Sequence, residues 1–339
     1  MGFYRRALAA APDNAETHYN LAMALLAQGE LPAGWQEHEW RWATRQFSGG
    51  HRHFAQPQWR GEAAEGRSLL VHAEQGFGDT LQFCRYVPLA AARGLRVILQ
   101  VPKPLSRLLC DLAGVDRLLT DGDALPQFDL HCPMLSLPLA LQTTPATIPH
   151  DVPYLHADPA LTAHWAMRLA ATPTPRVGVA WAGNPRAQLL DAAAIGRVRS
   201  IAPERLAPVL QLPGPCFVSL QKDGAPPPAA FRLVDRMAEV QDFADTAALI
   251  ANLDLILSVD TSVAHLAAAL GKPVWLLNCF DPCWRWLVGR RDSPWYPTMR
   301  IYQQPGPGDW DPVVAEIVRD LCTYQAADAV SSRPVANSQ

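Results

Sequence analysis

The segment from Leu257 to Leu270, LSVDTSVAHLAAAL, constrains the fold of this chain more than any other. The apolar run Leu253 to Val259 reads as a buried strand. It stops at Asp260-Thr261-Ser262 and turns directly into a helical pattern. The first backbone N–H groups of such a helix have no intrahelical partner, and the helix dipole adds partial positive charge to them. A corner of this kind is suited to a phosphate. His265 lies one turn on, at i+4 from Thr261, and shares its face. A second corner of the same type stands upstream at Leu69 to Phe83, LLVHAEQGFGDTLQF. Two such corners predict two α/β units facing a cleft, with a phosphorylated donor held in it.

The chain has 339 residues, enough for two domains and an appendage. A net charge of −3 argues against a nucleic-acid surface, which demands a basic stripe. The N-terminus, MGFYRRALAAAPDNAE, lacks the apolar run of a signal peptide. No segment approaches the ~18 uninterrupted apolar residues of a membrane span. The seven scattered cysteines suit a reducing, cytoplasmic setting. Cys279 and Cys283 alone make a weak metal pair, and packing is the better reading.

Residues 1–45 read as helical. Tyr4, Ala7 and Pro12 have the spacing of the end of one tetratricopeptide repeat, and Asn14 opens the next helix. Gly29-Glu30 turns, and Gly34 to Trp42 forms a further helix. His18 stands where the repeat usually has an aromatic. About one and a third repeats are present, too few to bury their own faces. The segment is therefore either a cap docked on the domain that follows or part of a peptide-binding array. After an irregular linker at 46–60, short apolar runs alternate with helical ones. Strands are predicted at Arg67–Ala73, Leu95–Val101, Arg117–Leu119, Phe128–Cys132, Arg176–Ala182, Cys216–Leu220, Leu253–Val259 and Pro273–Leu277. Helices are predicted at 79–93, 105–113, 135–141, 160–169, 203–211, 246–252, 261–271 and 310–326. That alternation predicts parallel sheets covered on both faces. Pro145 to Pro153 reads as a hinge-like connection. The domain limits are 1–45, 46–155 and 156–326, with a disordered tail at 327–339.

The upstream corner carries Glu74, Gln75, Gly76, Gly78 and Asp79. Its two glycines permit close approach of a ligand. A dinucleotide fingerprint would need glycine at 81, where Leu81 stands. Asp79 at the helix start suits an N-terminal cap, and it equally suits a base accepting a hydroxyl proton. The downstream corner offers Asp260, Thr261, Ser262 and His265. Two further strand ends point the same way: Gly183-Asn184-Pro185 with Arg197, Arg199 and Ser200 after it, and Gln221-Lys222-Asp223. A cation there could neutralise a diphosphate, although a solvated loop cation is the ordinary alternative. Asp121-Gly122-Asp123 reads as a turn rather than a metal site. Three tryptophans between Asp281 and Tyr296 suit either a sugar-stacking surface or a core.

Taken together, EQGFGDTLQFCRYV, RVGVAWAGNP, DTAALIANLDLILSVDTSVAHLAAALGKPVW and RWLVGRRDSPWYPTMR resemble the tetratricopeptide-repeat glycosyltransferases of bacteria. Their catalytic part is similar to glycosyltransferase family 9, the ADP-heptose:lipopolysaccharide heptosyltransferases. The resemblance covers roughly residues 1 to 325. It implies an α/β fold of GT-B type: two Rossmann-like parallel-sheet domains facing a cleft, the C-terminal one holding the donor, behind a short helical segment. It implies no required metal and no cofactor, the nucleotide-sugar being a substrate. By the same resemblance Asp79 corresponds to the proposed general base. Arg199 is the nearest counterpart of a diphosphate-binding cation, and Asp260, Thr261 and His265 match an Asp-Thr-Gly-x-x-His pattern in which Ser262 replaces glycine. The 186–199 loop is longer and more apolar than the polar run that related repeat proteins place there.

The expectation is an inverting, metal-independent glycosyltransferase acting on a glycan or protein hydroxyl. Asp79 and His265 are its catalytic pair. Gly76, Gly78, Asn184, Arg199, Ser200, Gln221, Lys222, Asp260, Thr261 and Ser262 bind the donor. The alternatives are a protein O-glycosyltransferase of the O-GlcNAc type, a repeat scaffold on a degenerate body with a protein partner at the helical segment, and a nucleotide-sugar epimerase.

Overall fold

The computed structural model describes residues 1–183, 196–222, 229 and 231–331, of which 325–331 are described as helix only. Helices of seven residues or more are α1 (Gly2–Ala10), α2 (Ala15–Ala27), α3 (Leu31–His38), α4 (Phe77–Phe83), α5 (Pro159–Arg168), α6 (Phe243–Ala251), α7 (Ser262–Ala269) and α8 (Asp311–Ser331).

Two parallel sheets carry the body. The first contains β1 (Ser68–His72), β2 (Arg96–Val101), β3 (Val115–Thr120) and β4 (Leu130–Pro133), in the order β3-β2-β1-β4. The second contains β5 (Arg176–Ala180), β6 (Cys216–Ser219), β7 (Leu233–Val234), β8 (Leu255–Val259), β9 (Val274–Asn278) and β10 (Met299–Gln303). Its order is β10-β9-β8-β5-β6-β7. Every pairing within both sheets is parallel. The winding reverses between β1 and β4 in the first sheet and between β5 and β8 in the second. Ligands of open α/β sheets bind beyond the strand ends at such reversals. The corners after β1 and β8 both sit at one. This is the expected GT-B arrangement of two Rossmann-like units.

Some elements differ from the sequence expectation. The helix predicted over 79–93 is three pieces: α4, a 3₁₀ turn at Cys84–Tyr86 and a short helix at Val87–Ala91. Pro88 lies in the first turn of the last piece, the one helical position that tolerates a missing N–H. Strands β7 and β10 were not anticipated. The closing helix runs on to Ser331, so 327–331 are helical. Residues 332–339 of the predicted tail lie outside the described residues.

The helical segment is docked as a cap. Asn14 caps α2 by accepting from the Thr17 amide, and Gly29 turns the chain at φ 80°. Gly34 brings α3 close to α2: a Cβ there would stand 2.6 Å from Leu26 Cδ2. His18 stacks on Trp40 with centroids 4.0 Å apart, taking the part of the repeat's usual aromatic. Trp35 is buried and meets Trp284 edge-on at 5.3 Å. Arg41, fully buried, forks onto Glu74 through Nε and Nη2, both at 2.9 Å, and reaches Glu39 and Ser136 as well. Burial works against its charge, but the Glu74 and Glu39 carboxylates outweigh it and hold the guanidinium protonated.

One apolar cluster runs from Leu26 and Trp35 through Leu69, Val71 and Leu81 to Ala264, Leu266 and Leu276. It joins the cap and both sheets. The connection predicted as hinge-like is fastened on both sides. Arg85 donates to the carbonyls of Pro149 (3.0 Å) and Trp295 (2.7 Å), and the Tyr154 amide donates to Ala269 (3.1 Å). Further along, Arg107 pairs with Asp242 at 3.1 Å across the two units.

Candidate active site

The two corners meet. A Cβ built on Gly78 would stand 2.9 Å from Cδ2 of His265 and 3.7 Å from the Ser262 Cα. Only a residue without a side chain allows α4 and α7 to approach so closely. Gly183, at the end of β5, faces Thr261, whose Cγ2 would be 3.9 Å from a Cβ there.

On the upstream side Gly76 is the N-cap of α4 and Asp79 its third residue. Asp79 Oδ2 accepts from the Gly76 amide at 2.8 Å, so the capping role expected of it is present. Its Oδ1 is held by Arg285, which also donates to Gln82 Oε1 at 2.6 Å. The Arg285 guanidinium lies over the Trp284 ring at 4.5 Å. Its pKa rises because the Cys283 and Asp79 partners outweigh its burial. Arg285 was not singled out in the sequence. The signal available was an arginine between two tryptophans, WRW, a setting in which a cation needs a partner. Gln75 takes φ 62°, the left-handed region that few side chains adopt.

On the downstream side Thr261 is the N-cap of α7, with extended backbone and no side-chain cap bond. The amides of Ser262 and Val263 have no hydrogen-bond partner among the described residues. Asp260 is buried and lies between two bases: Arg199 Nη1 at 3.3 Å and His265 Nε2 at 3.9 Å. Arg199 keeps its Nε unpartnered. Ser200 closes the helical turn at 196–199 by donating to the Gly196 carbonyl. His265 is buried, stacks on Trp286 (centroids 5.2 Å) and shares a hydrogen bond of 2.9 Å between Nδ1 and the Tyr296 hydroxyl. Burial, helped by the Arg285 charge, pushes its pKa down to about 3, so the ring is neutral near pH 7.

The remaining predicted residues divide. Gln221 accepts from the Trp181 and Ala182 amides, both at 2.9 Å, and so shapes the end of β5. The Lys222 ammonium closes on the carbonyls of Met237 and Val240. Asn184, Asp223 and the 186–195 part of the long loop lie outside the described residues. Asp121-Gly122-Asp123 is the expected turn: Asp123 Oδ2 accepts from the Thr120 amide at 2.7 Å, and Gly122 has φ 94°. Trp284, Trp286 and Trp295 are buried, which makes the three tryptophans core residues rather than an open stacking surface.

This arrangement places a carboxylate, a neutral imidazole, a cation and a pair of free amides around one junction. Three comparisons with known proteins bear on it. The description glycosyltransferase family 9 (heptosyltransferase) matches residues 237–277, which contain the downstream corner. A tetratricopeptide repeat matches residues 3–36. Protein FlbA of Caulobacter vibrioides is 27% identical over 344 residues, covering 93% of this chain and 56% of that protein. The chain thus spans about half the length of the curated relative it matches. The structure of E. coli ADP-heptose lipopolysaccharide heptosyltransferase II aligns with a TM-score of 0.53 at 12% identity, covering 77% of this chain and 99% of that one. A family 9 glycosyl transferase from Veillonella parvula aligns with a TM-score of 0.53 at 8% identity, covering 82% and 92%. At such identities the two structures speak to the fold alone. The chain is thus similar to glycosyltransferase family 9 over residues 237–277, to a tetratricopeptide repeat over residues 3–36, and to the heptosyltransferase structures in fold.

Proposed function

We propose that the chain is an inverting glycosyltransferase that takes a nucleotide-diphosphate sugar and passes the sugar to a hydroxyl of a glycan or protein. The observation that carries this reading is the apposition of Asp79 with the unpartnered amides of Ser262 and Val263 across the Gly78–His265 contact. Asp79 removes the proton of the acceptor hydroxyl as that oxygen attacks the anomeric carbon. The departing diphosphate gathers charge, which the two amides, the α7 dipole and Arg199 stabilise without a metal. Neutral His265 supports the same junction by fixing Tyr296 and the Asp260 side. In this reading the donor is held at the second sheet, at the Thr261–Ser262 corner after β8. All seven cysteines are free, which supports a reducing setting. No described helix is long and apolar enough to cross a membrane.

One substitution tests the donor assignment cleanly. Ser262 is the first residue of α7, a position that accepts proline, and Thr261 already has the extended backbone that precedes one. Ser262→Pro therefore removes one amide donor and keeps the helix. Calorimetry with ADP-, UDP- and GDP-sugars is expected to show one binder whose affinity falls about tenfold in the variant, the worth of a charge-assisted hydrogen bond. Undiminished affinity would remove the corner from the donor site.

A second reading has its own observation. Both Asp79 oxygens are occupied, by the Gly76 amide and by Arg285. A scaffold on a catalytically silent body would tolerate that. Absence of binding by every nucleotide-sugar in the same titration would favour the scaffold.

A further inference from the structure

We propose that Arg285 is a positioning residue for sugar transfer: from the opposite unit it holds the Asp79 carboxylate in the orientation from which Asp79 takes the acceptor's proton. The inference rests on the transferase reading above and adds to it the residue that orders its base.

Arg285 lies in the 3₁₀ turn Trp284–Trp286, which follows β9 in the second unit. Each guanidinium nitrogen has its own partner. Nε donates to Gln82 Oε1 at 2.6 Å, Nη1 to Cys283 Sγ at 3.0 Å, and Nη2 to Asp79 Oδ1. The guanidinium plane also rests on the Trp284 ring, 4.5 Å from its centroid. A planar fork held at all three nitrogens dictates where Oδ1 stands. The Gly76 amide fixes Oδ2 in the same way. A carboxylate has about four lone-pair sites, and these two bonds use two of them. One site on each oxygen stays open to a hydroxyl, at a fixed angle. The carboxylate is also the more accessible partner, its side chain 17% exposed against 9% for Arg285.

Stability alone does not account for the pair. A buried ion pair seldom outperforms apolar residues of equal volume, because both charges lose their water. The backbone beside each partner is strained as well. Among the described residues three non-glycine positions take positive φ, and two of them flank this pair. Gln75 (φ 62°) precedes Gly76, and Leu287 (φ 54°) directly follows the Trp284–Trp286 turn. Strain of this kind gathers at functional sites. The loop that carries Arg285 is braced by the cap. Trp284 meets Trp35 edge-on at 5.3 Å, and the Val288 amide donates to the Ala27 carbonyl at 2.9 Å. The base is thus ordered only while the cap and both units are docked together.

The test measures transfer rate and donor affinity on the full chain for the wild type, Arg285→Ala and Arg285→Lys. The added probe is ethylguanidinium, which supplies the atoms that the alanine variant lacks. The expected result is a fall in kcat of about a hundredfold in both variants, the cost of a group displaced by about 1 Å, with donor affinity by calorimetry unchanged. Lysine does not substitute, because a point charge cannot bond Gln82 and Asp79 in one plane. Ethylguanidinium, at concentrations that do not denature, is expected to restore kcat saturably in Arg285→Ala. It should do nothing when Asp79→Asn is added to that variant, and ethylurea, of the same shape but neutral, should not replace it. If circular dichroism shows that Arg285→Ala does not fold, Gln82→Met carries the test, with kcat expected to fall about fivefold to tenfold for one lost hydrogen bond. Unchanged kcat in the folded variant overturns the proposal. So does a loss carried by donor affinity alone, which would make Arg285 a donor ligand. Full kcat in Arg285→Lys, or equal rescue by ethylurea, overturns it too. A wild type that transfers no sugar from any nucleotide-sugar sinks the transferase reading and this inference with it, whereas wild-type transfer with unaffected variants sinks the inference alone.

Discussion

Gly78 packs directly on His265, so the upstream and downstream corners form one structure rather than two surfaces across open solvent. His265 cannot step aside, because Trp286 stacks on it and Tyr296 holds its Nδ1. Gly78→Ala therefore forces α4 away from α7. The expected cost is ~1–3 kcal/mol, typical of overpacking, seen as a lower denaturant midpoint in equilibrium unfolding. Donor affinity should weaken in the same variant. A midpoint equal to that of the wild type would mean that the contact is looser than the geometry states.

Asp79→Asn retains an oxygen for the Gly76 amide and so leaves the cap of α4 in place. It removes the base. The expected result is a fall in kcat of ~10²–10⁴-fold with donor affinity little changed, the range for loss of a general base. Initial rates of sugar transfer decide it, and unaltered kcat would move the base elsewhere.

Arg41→Met leaves the Glu74 carboxylate buried and unpaired against the first sheet. Loss of one partner of a buried pair typically costs ~3–5 kcal/mol. Glu74→Gln in the same chain should recover much of that loss, because an amide needs no counter-charge there. A double-mutant cycle in urea measures the coupling, and additive effects would show that the two residues do not act together.

Acid should weaken the protein through its buried histidines. His72 and His265 have pKa values lowered to about 3 from 6.5, and His38 lies well below 6.5, in each case mainly by burial. Between the lowered value and 6.5 the unfolded chain binds a proton that the folded chain does not. Stability is therefore complete above about 6.5 and falls as pH drops toward 3. Each histidine contributes a slope of up to ~1.4 kcal/mol per pH unit. Unfolding midpoints at pH 7, 6 and 5 should decline, and His72→Phe should flatten the decline by about one proton. A flat profile across that range would contradict the burial of these rings.

Much of this arrangement was legible in the sequence, because it depends on local pattern. The β1 and β8 corners each combine an apolar run, small polar residues and a helical period within fifteen residues or so, and both stand where they were expected. The cap was legible for the same reason. What was not legible is non-local or short. Asp79 and Arg285 are 206 residues apart, and nothing in either neighbourhood names the other. β7 has two residues, and β10 carries Arg300 and Gln303 behind a proline-rich stretch, so both read as loop. The three tryptophans near 290 could be placed only by packing, since a ring's burial depends on what the fold brings against it.

The fork of Arg41 onto Glu74 also bears on modularity. Glu74 lies two residues before Gly76, whose amide holds Asp79, so a load on the repeat is carried through a rigid charged strut to the residue assigned the chemistry. The repeat is accordingly not an interchangeable adaptor: grafting another in its place would strand a carboxylate inside the protein unless the graft brought its own arginine.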